Sequence, residues 1–264
     1  MTANSGVVVI TGGAGSGIGQ GISRAIASAG WTTVVADRDH GAAKRLVARL
    51  RADGHDAFDA ALDVADETSV DELFGSVLPG IGGLHGLVNS AGVGLVKPLA
   101  ELSLAEWDRL HDIDLRGAFL CARAAIPQLA ASGGGSIVNI GSVQALGPHV
   151  GYSGYAAAKA GLVGLTRGIA ADYGRRNIRC SIIHPGFVDS PQNHDILAEW
   201  GDAEGWIERY IRTRQMIPRL ITPEEIGATA VFLLSHSSRS ITAAEITVDA
   251  GSSRMAFDNT EGRS

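Results

Sequence analysis

Short apolar runs alternate with helix-length segments along almost the whole chain, and this alternation limits the fold more than any other feature. Residues 7–10, 32–36, 86–89, 136–140, 179–183 and 245–248 read as strands, with a weaker strand at 56–61. Several are apolar at nearly every position, the pattern of a parallel sheet covered on both faces. Helical patterns fill the intervals at residues 19–29, 41–53, 69–77, 103–131, 155–174 and 222–234. Ser103 with Glu106 and Thr222 with Glu225 both fit a capping box, and Pro223 falls at a first helical position. Pro127 is expected to end or kink the long segment that starts near Ser103, and Gly133, Gly134 and Gly135 then break to the next strand. The βαβα order implies an α/β fold, a Rossmann-type doubly wound parallel sheet with right-handed crossovers. No linker divides the 264 residues, so residues 1–264 are expected to form one domain.

One segment departs from the rhythm. Residues 191–218 separate a strand from a helix, where ~2–6 residues are usual. They include helix-forming stretches near 195–200 and 203–214. An insertion at the carboxyl end of a strand lies where a doubly wound sheet binds ligands, so this one reads as a substrate lid. A surface embellishment is the alternative.

Composition narrows the partners. The formal net charge is −6 and no block of Lys or Arg stands out. Nucleic acid and anionic membranes are therefore not expected partners. No apolar run approaches the ~20 residues of a membrane span, and the short polar amino end shows no signal-peptide pattern. The two cysteines, Cys121 and Cys180, lie in apolar stretches, which suits reduced core thiols. No Cys/His cluster has metal-ligand spacing, so no metal is expected, and a cytoplasmic location is the default.

The first strand runs into Thr11, Gly12, Gly13, Ala14, Gly15, Ser16, Gly17, Ile18 and Gly19, then into a helix. Glycines permit positive φ and let backbone approach a pyrophosphate, which the helix amides and dipole then hold. Asp37 ends the second strand, 18 residues after Gly19 and close to the ~20 expected for a carboxylate that binds ribose hydroxyls. Such a carboxylate would repel a 2′-phosphate. Arg38 follows and could attract one, but Ser16 adds no second positive charge, so NAD is the expected cofactor.

Tyr155 precedes Lys159 by four residues on a helix, which puts both side chains on one face. A phenol titrates near ~10 in water. A cation beside it favours the phenolate. The pair is therefore a way to exchange a proton with an alcohol near neutral pH.

With these pieces assembled, the chain resembles the short-chain dehydrogenase/reductase family, in its single-domain branch of about this length. The resemblance rests on Thr11 and Gly12 with Gly17, Ile18 and Gly19; Asp63 and Val64; Asn89, Ser90, Ala91 and Gly92; and Ser142, thirteen residues before Tyr155. It continues through Ala156, Ala157, Ala158 and Lys159, then Pro185 and Gly186, then Val248, Asp249, Ala250 and Gly251. The order and spacing of these pieces carry the specificity. The resemblance implies that Tyr155 exchanges the proton and that Lys159 lowers its pKa and holds the nicotinamide ribose. It implies that Ser142 hydrogen-bonds the substrate oxygen. Gly12, Gly13, Ser16, Gly17 and Ile18 would face the pyrophosphate, and Asp63 and Val64 the adenine. Asn89, Ala91 and Gly92 would shape the wall near the nicotinamide. Pro185, Gly186, Val188 and Ser190 would contact its carboxamide. A homotetramer is implied too, with small faces such as Ala118, Ala122, Ala157, Ala160 and Gly164 on the long helices.

Two departures stand out. The glycine loop is one residue longer than the family's usual Thr-Gly-x-x-x-Gly-x-Gly, which leaves open whether Gly12 or Gly13 takes the first-glycine role. Asp114 stands where the family usually has Asn, whose backbone carbonyl holds a water leading from the Lys. Asp keeps that carbonyl. Its carboxylate would either raise the Lys159 pKa or bond to backbone amides and change little.

The substrate wall is expected to include Ser142, Gln144, His149, Tyr155, Phe187 and His194. Gln144, His149, Gln192, His194 and Arg209 suit a polyol, sugar or hydroxy acid; Leu95, Val96, Phe187, Trp200 and Trp206 equally suit an apolar ring. Tyr152 has no Lys four residues on and reads as a rim residue. The sequence thus points to NAD-dependent oxidation of a small-molecule secondary alcohol. A silent NAD(H)-binding regulator of the same fold is the alternative.

Overall fold

The computed structural model describes residues 6–15, 17–198 and 201–255, and of Gln192 the backbone alone. Ser16, Trp200 and the side chain of Gln192 lie outside the described residues. The strands are Val7–Thr11 (β1), Thr32–Asp37 (β2), Ala57–Ala61 (β3), Leu84–Asn89 (β4), Gly135–Ile140 (β5), Ile178–Pro185 (β6) and Glu245–Val248 (β7). The α-helices are Ile18–Ser28 (α1), His40–Ala52 (α2), Glu67–Glu72 (α3), Leu104–His111 (α4), Gly117–Ala131 (α5), Ser153–Tyr173 (α6), Pro191–Ala198 (α7), Ala203–Arg214 (α8) and Pro223–Leu234 (α9).

All seven strands are parallel, in the order β3-β2-β1-β4-β5-β6-β7. Strand periodicity sends alternate β1 side chains into two cores. Val8 and Ile10 pack with Ile22 and Ile26 of α1 and with Ile226 and Leu233 of α9. Val7 and Val9 pack on the other face with Leu120 and Leu129 of α5 and Val70 of α3. Each such fully buried aliphatic side chain contributes about 1.5–3 kcal/mol, which is why β1, buried on both faces, reads as an unbroken apolar run. Cys121 and Cys180 sit in the second of these cores, unpaired, and burial pushes both thiols up to about 12. Among the described residues no helix is long and apolar enough to cross a membrane, and no group of His, Cys, Asp or Glu is arranged to hold a metal.

Both expected capping boxes are formed, at Ser103 with Glu106 and at Thr222 with Glu225. The long helix expected over 103–131 is instead α4, one π-helical turn at Asp112–Arg116, and α5. Pro127 does not end it. The hydrogen bond it removes belongs to the carbonyl of exposed Arg123, which water can satisfy, and α5 runs on to Ala131. A π turn also interrupts the helix expected over 69–77, at Leu73–Val77.

The strand order reverses between β1 and β4, and the helices that follow them, α1 and α5, pack on opposite faces of the sheet. The carboxyl ends of these strands, at Thr11 and Asn89, therefore open a crevice between crossovers, where a doubly wound sheet takes its ligand.

Candidate active site

The crevice is a cleft of about 450 Å³ that runs along the carboxyl edge of the sheet. At one end stand Asp37, Arg38, Asp63 and Val64; at the other, Ser142, Tyr155 and Phe187, with the glycine loop and Gly92 between. Gly12 has φ of +62°, and a Cβ there would lie 2.7 Å from the backbone of Ala91. A Cβ on Gly19 would lie 2.0 Å from the Gly12 carbonyl. The loop therefore touches β4's continuation and the start of α1 as bare backbone, the cradle a pyrophosphate needs. In the longer loop the Gly15 amide donates to the Gly12 carbonyl and the Gln20 amide to the Gly15 carbonyl.

Asp37 is fixed from both sides. Its Oδ2 accepts from the Ala14 amide at 3.0 Å and its Oδ1 from the Asp39 amide at 3.0 Å. That aims the carboxylate at the cleft with lone pairs to spare, as ribose hydroxyls require. These residues fit a nicotinamide dinucleotide along the whole cleft.

The catalytic end is built from three elements. Ser142 follows β5, and its hydroxyl accepts from the Gln144 amide at 3.1 Å. Tyr155 and Lys159 project from one face of α6, with Lys159 Nζ 5.5 Å from the Tyr155 ring centre. Lys159 is buried and donates to the Ile140 carbonyl at 3.1 Å. The π turn delivers the third element, Asp114, which is 1% exposed. Its Oδ1 accepts from the Val93 amide at 2.8 Å, and its Oδ2 lies 3.6 Å from Lys159 Nζ with no hydrogen-bond partner. Gly92 makes room for this pair: a Cβ would meet both Asp114 Oδ1 and Lys159 Nζ at 3.2 Å.

These contacts set the protonation balance. Burial raises the Asp114 carboxyl above its ordinary value, and the Lys159 charge and the Val93 amide pull it back. Burial works to lower Lys159, but the charges of Asp114 and Tyr155 outweigh it, and the ammonium is held above its ordinary value. Tyr155 is raised, by burial first; Lys159 and the Ser142 hydroxyl lower it, and Asp114 opposes them. The sequence expectation that Lys159 brings the phenol toward neutrality is thus outweighed in the protein alone, and Asp114 is one reason.

A family model described as enoyl-(acyl carrier protein) reductase matches residues 13–253. Cis-4-hydroxycyclohexanecarboxylate dehydrogenase of Sinomonas cyclohexanicum is 37% identical over 246 residues, covering 93% of this chain and 95% of the relative. D-threitol dehydrogenase of Mycolicibacterium smegmatis is 37% identical over 253 residues, covering 93% and 92%. The crystal structure of a gluconate 5-dehydrogenase from Burkholderia cenocepacia in complex with NADP and tartrate superposes with a TM-score of 0.87, at 30% identity, covering 95% and 96%. The chain belongs to the short-chain dehydrogenase/reductase family. It is an oxidoreductase of that family, whose members work with a nicotinamide cofactor.

Most of the residues that the resemblance implies line the cleft: Asp37, Asp63 and Val64 at one end, Gly12, Gly17 and Ile18 between, and Ala91, Gly92, Pro185, Gly186 and Ser190 on toward Ser142. Four expectations need correction. Gly13 turns from the cleft, with its amide on the Ala36 carbonyl and its own carbonyl accepting from Ser23, so of the two glycines it is Gly12 that lines the cleft. Asn89 is buried away from the cleft and donates to Asn139 Oδ1 at 2.9 Å, tying β4 to β5. Val188 is fully buried among apolar residues and pairs by backbone with Ile221. His194 points to the surface and pairs with Asp189 at 2.7 Å, outside the cleft lining.

The substrate wall includes Gln144, His149 and Phe187 as expected, and Tyr152 at the rim. Gln144 Oε1 accepts from the His149 amide at 2.8 Å, bracing that loop. Trp206 is stacked on Tyr210 at 4.9 Å and tilted against Phe187 at 5.3 Å, so it both packs α8 down and faces the cleft. Asn193, Ile196 and Leu197 of α7 and Tyr210 of α8 join this wall without having been singled out from the sequence. Tyr210 had a usable signal, since it follows Trp206 by four residues on a helix. His184 had less. It is 0% exposed, its Nδ1 donates to the Ser142 carbonyl at 3.0 Å, and its Nε2 lies 3.3 Å from Glu245. It braces the strand end that carries Ser142.

Proposed function

We propose that this chain oxidises a secondary alcohol to a ketone, reversibly, and uses NAD in preference to NADP. The observation that carries the reading is the convergence of Ser142, Tyr155 and Lys159 on one end of a cleft whose other end is the Asp37 carboxylate. Bound in that cleft, the oxidised dinucleotide supplies a hydride acceptor and a positive ring whose field favours the phenolate. Ser142 donates its hydroxyl hydrogen to the substrate oxygen and orients it. Tyr155, as phenolate, takes the hydroxyl proton. Lys159, held above its ordinary pKa, keeps a positive charge beside the phenolate at neutral pH, and Asp114 holds the ammonium in place. Asp63 and Val64 border the adenine, while Gly12, Gly17 and Ile18 leave the pyrophosphate to backbone amides. The named relatives act on a cyclic hydroxy acid and a polyol, which supports an alcohol of one of these kinds.

The NAD preference rests on Asp37, with Arg38 beside it as the opposing group. A carboxylate against a 2′-phosphate costs several kcal/mol, so NADP is expected to be used about a hundredfold less efficiently. Asp37→Ser should narrow the gap at least tenfold, read as the ratio of kcat/KM for the two cofactors. Equal efficiency in the parent would remove Asp37 as the discriminating group.

We read the assembly as a homotetramer in the cytoplasm. The two buried thiols suit a reducing compartment. Ala157, Ala160 and Gly164 form an exposed small-residue stripe on α6, whereas Ala118 and Ala122 are spent on the chain's own core. Sedimentation at micromolar concentration is expected to give four chains per particle; a stable monomer would contradict the assembly.

A further inference from the structure

A line of side chains runs from the edge strand β7 inward to Ser142. Arg167 of α6 donates to Glu245 Oε1 on β7, Glu245 Oε2 lies 3.3 Å from His184 Nε2 on β6, and His184 Nδ1 donates to the Ser142 carbonyl at 3.0 Å. Side-chain exposure falls along it, from 63% at Arg167 through 26% at Glu245 to 0% at His184. A carbonyl oxygen only accepts, so Nδ1 carries hydrogen in this arrangement. The contact with Glu245 becomes a hydrogen bond when Nε2 carries hydrogen as well. The ring lies over bare backbone: a Cβ on Gly141 would fall 2.7 Å from Nδ1. A side chain there would push the ring off the carbonyl of the next residue.

Ser142 stands where the sheet no longer holds it. β5 ends at Ile140, and a short turn over Val143–Ala145 follows. The Ser142 carbonyl opens that turn by accepting from the Ala145 amide at 3.0 Å, and His184 takes its second lone pair. Two donors thus fix the peptide that follows Ser142. The hydroxyl accepts from the Gln144 amide at 3.1 Å, inside the same turn. That bond occupies an acceptor position and leaves the hydroxyl hydrogen to donate. Without the Nδ1 donor the turn keeps one of its two anchors, and a buried carbonyl lone pair is left unfilled.

We propose that His184 is a positioning residue for the oxidation: its Nδ1–H holds the Ser142 carbonyl, and through the turn the Ser142 hydroxyl, in the direction that the substrate oxygen requires, while Glu245 and Arg167 set the ring. The inference rests on the alcohol-oxidising reading above and adds a residue to it. His184 is outside the cleft lining, so it acts on turnover through Ser142 and leaves the binding of dinucleotide and alcohol alone.

The test uses two variants of similar polarity. In His184→Asn the amide nitrogen falls where Nδ1 stood and can donate to the Ser142 carbonyl. In His184→Gln it falls where Nε2 stood, facing Glu245, and that carbonyl loses its second donor. NAD reduction is followed with cyclohexanol, isopropanol or D-threitol, whichever the parent oxidises fastest. His184→Gln is expected to lower kcat about 10- to 100-fold with KM and NADH binding little changed, whereas His184→Asn stays within about threefold of the parent. The same defect in both variants, or one that tracks their thermal midpoints, overturns the proposal. The second arm is the Ser142→Ala background, where no hydroxyl remains to be aimed. Adding His184→Gln there should lower kcat by no more than about twofold, and a defect that multiplies in full overturns the proposal. Hydrogen exchange at the Gln144 amide, which donates to the Ser142 hydroxyl, decides the point without turnover. Faster exchange in His184→Gln than in the parent and His184→Asn supports the proposal; equal exchange in all three refutes it. A parent that oxidises none of the three alcohols counts against the alcohol-oxidising reading, while the exchange still judges His184.

Discussion

Tyr155→Phe is expected to lower turnover of a secondary alcohol by about 10³-fold, within the range that positioned proton transfer supplies. The substitution removes the one atom that takes the alcohol proton and leaves the ring to pack. The ring matters structurally, because it stands edge-on to Tyr152 at 6.1 Å and beside Lys159. NADH binding, measured by fluorescence, should change little. Retained turnover would move the base elsewhere. His149 is then the first group to test, since it lines the same cleft.

Asp114→Asn is the second large effect expected, and it appears in the pH profile. To ionise near pH 7, a phenol of pKa ~10 must gain about 4 kcal/mol of preferential stabilisation as phenolate. Lys159 supplies part of it, but Asp114, with Oδ2 3.6 Å from Lys159 Nζ, works against the phenolate. The sign follows directly. Alcohol oxidation needs the deprotonated phenol, so the rate rises with pH through the Tyr155 pKa. Removing the Asp114 charge lowers that pKa, and the rising limb should move to lower pH by about one unit or more. Lys159 loses its negative partner as well, so its own pKa should fall and the limb that reports ammonium loss should also move down. Asparagine can keep the bond from the Val93 amide through its side-chain oxygen, so the fold should tolerate the change. A profile superimposable on the parent's would limit Asp114 to the backbone bond.

The fold was legible because several strands are apolar at nearly every position and helix starts are signed by Ser103, Thr222 and Pro223. Interior proline and the π turns were not, because both depend on what faces the helix: Pro127 costs one hydrogen bond at the carbonyl of Arg123, an exposed residue, and Asp112–Arg116 distorts where Asp114 meets Lys159. At the site, residues whose spacing fixes their direction were readable, above all Tyr155 and Lys159 on α6 and Asp37 at a strand end. Residues known from motif position alone were less so. Asn89 and Val188 carry family positions, yet their side chains go to the core, since a motif constrains backbone course more tightly than side-chain direction. Residues 191–218 gave the existence of two helices over the cleft but not their facing. Tyr210 and Leu197 point in, whereas His194, more conspicuous in the sequence, pairs outward with Asp189.

The central claim is that Ser142, Tyr155 and Lys159 make this chain a working alcohol dehydrogenase and not a silent dinucleotide binder. The measurement that tests it most directly is reduction of NAD by a panel of secondary alcohols, followed by absorbance, with NADH binding measured on the same preparation. NADH should bind, at least one alcohol should drive NAD reduction, and Tyr155→Phe should abolish the reduction while binding persists. NADH binding with no reduction by any alcohol, and no oxidation of NADH by the matching ketones, would contradict the claim and leave a regulator that only holds the dinucleotide.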